Sequence, residues 1–237
     1  MVRMQPAFVD LTVTSPPYDK QRLYNGYCFD FENTAKGLYR VTKAGGVVVW
    51  IVADGVENGS ETGTSFRQAL FFKECGFYLH DTMIYQKRNF SHPEKTRYHS
   101  VFEYMFVFSK GKPKTFNPIM DRKNLTAGEI GNKGVNTFTL RDGSKSVRTK
   151  KVTREFGMRH NIWLGNTRGQ EDMCIELKHP AMMPRWIARD HILTWSNEGE
   201  LVYDPFGGSG TTAEEAEKLN RKWVLSEISK EYCSMAV

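Results

Sequence analysis

The sequence predicts an α/β fold, a mostly parallel sheet with helices on both faces, and three observations carry that prediction. Val47-Val48-Val49-Trp50-Ile51-Val52 is a continuous apolar run, the pattern of a strand buried on both faces. Short β-rich runs alternate with helix-forming stretches through much of the chain, which is the order of an α/β layer architecture. Finally, Leu201-Val202-Tyr203 leads into Asp204-Pro205-Phe206-Gly207-Gly208-Ser209-Gly210-Thr211-Thr212 and then Ala213 to Leu219. That reads as strand, glycine-rich turn, helix. Glycine serves where backbone turns sharply or approaches a ligand closely, and the free N–H groups at a helix start favour an electronegative group.

A chain of 237 residues fits one large domain, or one domain with a sizeable insertion. Hydrophobic residues at 40% and aromatics at 13% suffice for a core and exclude wholesale disorder. No apolar run approaches the length of a membrane span, and Met1 to Pro6 lacks an apolar signal region. A cytoplasmic protein with no membrane partner is the expectation. Cys28, Cys75, Cys174 and Cys233 are scattered with no C-x-x-C pair, so neither a metal site nor a disulfide framework is expected. Charge is uneven. Residues 87–168 hold 18 Lys/Arg against 6 Asp/Glu, whereas the rest of the chain holds 15 against 21. A basic segment on a mildly acidic body points to a polyanion partner.

Taken in order, Phe8 to Val13 alternates as a strand does and runs into Thr14-Ser15-Pro16-Pro17-Tyr18. Two prolines remove donors and fix φ, so the pair makes a rigid turn at the strand's C-terminal end. In open α/β sheets ligands bind at that edge. A helix is expected over about Phe31 to Arg40, stopped by Lys43-Ala44-Gly45-Gly46, then the buried strand, then a helix over Phe66 to Cys75 that Gly76 ends. Phe77 to Tyr85 and Val101 to Ser109 read as strands joined by a loop, hence an antiparallel pair at the sheet edge. From Lys110 to about Arg168 periodicity fades, and the stretch reads as an insertion. Trp186 to Trp195 has helical spacing, Trp223 to Glu227 reads as a strand ending on an acid, and Ser229 to Met235 as a short helix. Trp50, Trp186 and Trp195 are read as core.

Gly208-x-Gly210-x-x-Ala213 has the form of a dinucleotide-binding turn, with Glu227 placed at the end of the next strand to hold ribose hydroxyls. That pattern predicts an adenosine-containing cofactor. No Gly-Lys-Ser/Thr follows, which disfavours a phosphate-cradling loop. A nicotinamide dehydrogenase needs a second mononucleotide-binding half, for which the ten residues after Glu227 leave no room.

Together, Ser15-Pro16-Pro17-Tyr18, a basic region, His179-Pro180-Ala181-Met182-Met183-Pro184 and the glycine loop, in this order, resemble an S-adenosylmethionine-dependent DNA amino-methyltransferase. The resemblance is to the group whose catalytic motif precedes the cofactor motif, and it spans nearly the whole chain. It implies a Rossmann-like methyltransferase sheet, circularly permuted, with an antiparallel edge hairpin and an inserted target-recognition region. The domain boundaries it implies are 1–109 for the catalytic half, 110–177 for the insertion and 178–237 for the cofactor half. It assigns Ser15, Pro16, Pro17 and Tyr18 to catalysis. To S-adenosyl-L-methionine it assigns Thr14, His179, Pro180, Asp204, Pro205, Phe206, Gly207, Gly208, Ser209, Gly210, Thr211, Thr212 and Glu227. Asp204 is expected to be a cofactor-side hydrogen-bonding residue rather than a general base.

The chemistry is consistent with these residues. An exocyclic amine is a poor nucleophile because its lone pair is delocalised into the ring. Acceptors at Ser15 Oγ and the Pro16 carbonyl, aimed at its N–H groups, favour the nucleophilic geometry. Tyr18 offers a stacking face, and the target base must be flipped out of the duplex to reach it. Methylation at ring carbon 5 needs a cysteine after a proline, and none of the four cysteines follows one. Within the family, serine in the catalytic motif goes mostly with cytosine N4 and aspartate with adenine N6. Cytosine N4 is therefore expected, with adenine N6 or a non-catalytic DNA-binding relative as the alternatives. The expected partner is double-stranded DNA through residues 87–168. A homodimer and a cognate restriction endonuclease are carried as further expected partners. One departure concerns the adenine pocket: family members usually carry a strand with an acidic residue ahead of the catalytic strand, where this sequence has seven residues before Phe8.

Overall fold

The computed structural model describes residues 1, 3–17, 29–90, 93, 95–128, 136–148, 152–166 and 183–235. They divide into two compact units, Met1–Asn117 with Asn161–Val237, and Pro118–His160.

The larger unit begins with β1 (Val9–Thr14), α1 (Phe31–Val41) and β2 (Thr42–Val52). The Asp30 side chain caps α1 by accepting from Asn33 N at 3.2 Å, and Ala35, Leu38 and Val41 form its buried face. After β2 come a small ladder of β3 (Val56–Glu57) with β4 (Ser60–Glu61), then α2 (Thr64–Glu74). Asp54 satisfies the start of α2, accepting from Ser65 N at 2.8 Å. The strands β5 (Tyr78–Lys87) and β6 (Phe102–Ser109) follow.

The smaller unit holds β7 (Arg122–Lys123), the hairpin of β8 (Asn136–Thr139) and β9 (Lys145–Arg148), and β10 (Phe156–Gly157), which pairs with β7. Asp142 closes the hairpin turn, accepting from Ser144 N at 2.9 Å. Asp121 and Arg159 pair at the unit's two ends, and that hydrogen bond holds the Asp121 carboxyl below its ordinary value.

The chain then returns to the larger unit through β11 (Ile162–Gly165), α3 (Arg185–Trp195), β12 (Leu201–Asp204), α4 (Thr211–Lys218), β13 (Lys222–Leu225) and α5 (Lys230–Met235). The seven-stranded sheet has the order β11-β5-β6-β2-β1-β12-β13, and β6 alone runs against its neighbours. This is the mostly parallel α/β sheet with an antiparallel hairpin that the sequence predicts.

The β2 run shows why. Val47, Val49 and Ile51 face one core with Leu11, Val13, Ile187 and Ile192, while Val48, Trp50 and Val52 face the other with Leu38, Phe72 and Phe108. A strand covered on both faces has no reason to alternate. Trp50 is fully buried, and its indole N–H is satisfied by Gln68 Oε1 at 2.8 Å.

One expectation needs correction. The hairpin of β5 and β6 is not at the sheet edge, because β11 pairs in parallel outside β5. Trp163, in β11, is 5% exposed and stacks on His191 with ring centroids 4.5 Å apart. Burying that indole draws four residues into the sheet, too few for their periodicity to be visible in the sequence.

Candidate active site

The β1 and β12 strands are neighbours and parallel, with Leu11 opposite Val202 and Thr12 opposite Tyr203. The turn after β1 and the glycine loop after β12 therefore emerge side by side at one sheet edge. The tie between them is Asp204. Thr14 Oγ1 donates to its Oδ1 at 2.6 Å, Thr212 Oγ1 to its Oδ2 at 2.7 Å, and Phe206 N to Oδ1 at 3.0 Å. One carboxylate thus joins the end of β1, the glycine loop and the start of α4. It is only 4% exposed, and burial pushes its carboxyl above the ordinary value of 3.8, against the three donors, which pull it down. Buried and engaged by three protein donors, it lies beneath the site and holds the two loops in register.

The glycine loop is built for close approach. Gly208 has φ 50 and Gly210 φ 85, backbone that side chains rarely adopt. Gly210 is the N-cap of α4 and offers no side-chain cap, which leaves first-turn N–H groups of α4 without one. Gly207 N donates to Ser226 O at 2.9 Å, latching the loop onto the end of β13. At that end lies Glu227, two residues past β13. Its Oε2 accepts from Gly208 N at 2.8 Å, and its Oε1 from Ile228 N at 2.9 Å and Ser229 N at 2.8 Å. An ionised carboxylate has about four acceptor positions, so three internal bonds orient this one and leave capacity for a ligand hydroxyl. Phe206 is half-buried against Phe29 at 5.1 Å and Trp50 at 6.3 Å between centroids.

Of the sequence-predicted residues, Thr14, Ser15, Pro16, Pro17, the whole 204–212 loop and Glu227 come together at this edge. Ser15 and Pro17 are half-buried and Pro16 buried. Tyr18, His179 and Pro180 lie outside the described residues. Sequence reading missed Ser226, whose Oγ is 2.9 Å from Tyr203 OH and whose amide donates to Asp204 O at 2.9 Å. It missed Phe29 as well. Neither carries a spacing signal, since each gains its role only from strand neighbours or an aromatic cluster remote in sequence.

A DNA methylase family model, that of the N6/N4 methyltransferases, matches residues 9–237. The chain is similar to the orphan methyltransferase M.BamHII of Bacillus amyloliquefaciens, at 57% identity over 96% of this chain and 87% of that protein. It is also similar to the type II methyltransferase M.SmaI of Serratia marcescens, at 26% identity over 96% of this chain and 82% of that protein. Among solved structures, the cytosine-N4-specific PvuII DNA methyltransferase matches with TM-score 0.69 at 20% identity, covering 99% of this chain and 80% of that one. The M1.HpyAVI–SAM complex matches with TM-score 0.61 at 21% identity, covering 97% and 88%. At these identities the two structures show a shared fold. No helix among the described residues is long and apolar enough to cross a membrane.

Proposed function

The chain belongs to the N6/N4 DNA methylase family, and from that premise we propose that it methylates the exocyclic N4 of a cytosine flipped out of duplex DNA. It is an S-adenosyl-L-methionine-dependent DNA methyltransferase. The donor set at the sheet edge fits that cofactor. The positive-φ glycines leave backbone open to a ligand, α4 presents N–H groups without a side-chain cap, and Glu227 is oriented with acceptor capacity to spare for a ribose diol. In this reading the 207–212 backbone surrounds the methionine moiety, Phe206 packs beside it, and Glu227 binds the ribose. Segment 179–184 resembles the family motif that closes over the methionine end.

When bound, the cofactor supplies an electrophilic methyl group on a sulfonium centre. The chain supplies position. Ser15 Oγ and the Pro16 carbonyl accept from the two N–H groups of the target amine and turn its lone pair out of conjugation. Tyr18 stacks on the extruded base. The rigid Pro16-Pro17 turn holds these acceptors, and Asp204 holds the turn against the glycine loop.

The observation that carries this reading is the Asp204 tie, which connects Thr14, next to Ser15, with Thr212 of the cofactor loop; Thr14 and Asp204 are 190 residues apart in sequence. Cytosine N4 is preferred over adenine N6 because Ser15 stands where adenine-specific relatives mostly carry aspartate. The printed specificity of the PvuII enzyme agrees, but at 20% identity it speaks for the fold. The basic segment 87–168 is the proposed DNA contact, with Lys and Arg on phosphates and a few side chains reading bases.

The test is incubation with methyl-labelled S-adenosylmethionine and mixed duplex DNA, followed by nucleoside mass spectrometry. N4-methylcytosine is the expected product. N6-methyladenine would move the assignment to the other amine. Unlabelled DNA with intact cofactor binding would overturn both.

A further inference from the structure

We propose that Tyr98 enters the duplex and fills the gap left by the extruded base. The proposal rests on the methyltransferase reading above and adds to it a positioning residue outside both sequence motifs.

Strand direction places the loop. Because β5 runs parallel to the β1 set and β6 runs against it, the connection from residue 88 to 101 opens on the same sheet edge as Ser15 and Asp204. In the order β5-β6-β2-β1, the loop's two supporting strands lie two and three strands from β1. At about 4.8 Å per strand that is roughly 10 to 14 Å. A DNA major groove is about 12 Å wide. The base of this loop therefore lies within about one groove width of the pocket at β1 that receives the nucleotide.

Arg97 ties its end of the loop down, yet Tyr98 is held out. Arg97 Nη2 donates to Gly59 O at 2.6 Å and its Nη1 lies 4.0 Å from Glu61, fastening the loop to the β3–β4 ladder. On the other side His99 stacks on Phe90 with centroids 4.1 Å apart. Between Arg97 and His99, Tyr98 is 100% exposed. A tyrosine packed on neither neighbour, on a tied loop, is presented rather than merely uncovered. Arg88 and Lys95 precede it in the same loop, and their charge suits contact with DNA phosphates. An aromatic ring is suited to the gap because it stacks on either neighbouring base whatever its identity. Phe90 is committed to His99, and the exposed Phe66 and Leu70 belong to α2, so among the described residues of this loop Tyr98 is the uncommitted ring.

Base–aromatic stacking of ordinary strength corresponds to an effect on the order of 10- to 100-fold. The experiment uses two synthetic duplexes carrying the site that the enzyme modifies, once mapped on plasmid DNA. In one the target base is paired, and in the other it faces an abasic position, so extrusion is already easy. Single-turnover methylation is measured for the wild-type chain, Tyr98→Ala and Tyr98→Phe. Tyr98→Ala should be at least 10-fold slower on the paired duplex and within about threefold of wild type on the abasic one, whereas Tyr98→Phe should match wild type on both. Equal slowing of Tyr98→Ala on the two duplexes, or none on the paired one, overturns the proposal. If the wild-type chain labels neither DNA, the methyltransferase reading itself fails and this proposal goes with it.

Discussion

Replacing Asp204 tests whether a buried carboxylate holds the two loops together. Asp204→Ala strands three donors: Thr14 Oγ1, Thr212 Oγ1 and the amide of Phe206. A buried donor left unmet costs about 1–3 kcal/mol. Thr212 has a second acceptor in reach, Val13 O at 3.5 Å, and removing the carboxylate also removes its desolvation penalty. The net loss should be about 2–4 kcal/mol of folding stability. Asp204→Asn should cost much less, about 1 kcal/mol. Its carbonyl oxygen still accepts from Thr14 and Phe206, and its NH2 donates to Thr212 Oγ1, which turns its own hydrogen to Val13. Cofactor affinity should fall with Ala and largely survive with Asn. Urea denaturation and calorimetric titration with S-adenosylmethionine measure both effects. An alanine variant within 0.5 kcal/mol of wild type, or an asparagine variant as damaged as alanine, refutes the reasoning. The pH dependence has a definite sign. Because burial raises the folded pKa of Asp204 above 3.8, the stability linked to its proton is complete below 3.8 and is lost as pH rises through the folded value. Asp204→Asn lacks that titration, so the stability of wild type relative to the variant should decline across this window. A relative stability that rises there would mean that the three donors outweigh burial.

Other outcomes follow from the same geometry. Ser15→Ala should reduce methyl transfer by roughly 100-fold or more, as for loss of one preorganised transition-state partner, with cofactor affinity within threefold by titration. Glu227→Ala should weaken S-adenosylmethionine binding about 10- to 100-fold through loss of charge-assisted hydrogen bonds, with Glu227→Gln in between. Gly210→Ala, at φ 85, should cost about 1–2 kcal/mol in urea denaturation, since a Cβ is strained in left-handed backbone. DNA affinity should drop steeply between low and moderate salt, with a log–log slope near −0.9 per phosphate contact, and a flat dependence would remove the basic segment from the interface.

What the sequence determined by itself was whatever rests on neighbours in the chain. The double-sided burial of β2 is written in six consecutive apolar residues, 47–52. The turn before α4 needs glycine at 208 and 210 because φ is positive there, and such a requirement is local. The paired motifs at 15–18 and 204–212 were likewise legible, each from its own residues. The tertiary structure alone decided the rest, because each remaining feature depends on groups far apart in sequence. β11 joins the sheet because Trp163 packs on His191, 28 residues on, and that displaces the hairpin from the edge. Asp204 lies in the cofactor motif, yet its carboxylate is spent on Thr14, Thr212 and Phe206, one partner 190 residues away. Spacing shows which residues stand at a strand's end; only the packing of neighbouring strands shows which of them face a ligand and which hold the others in place.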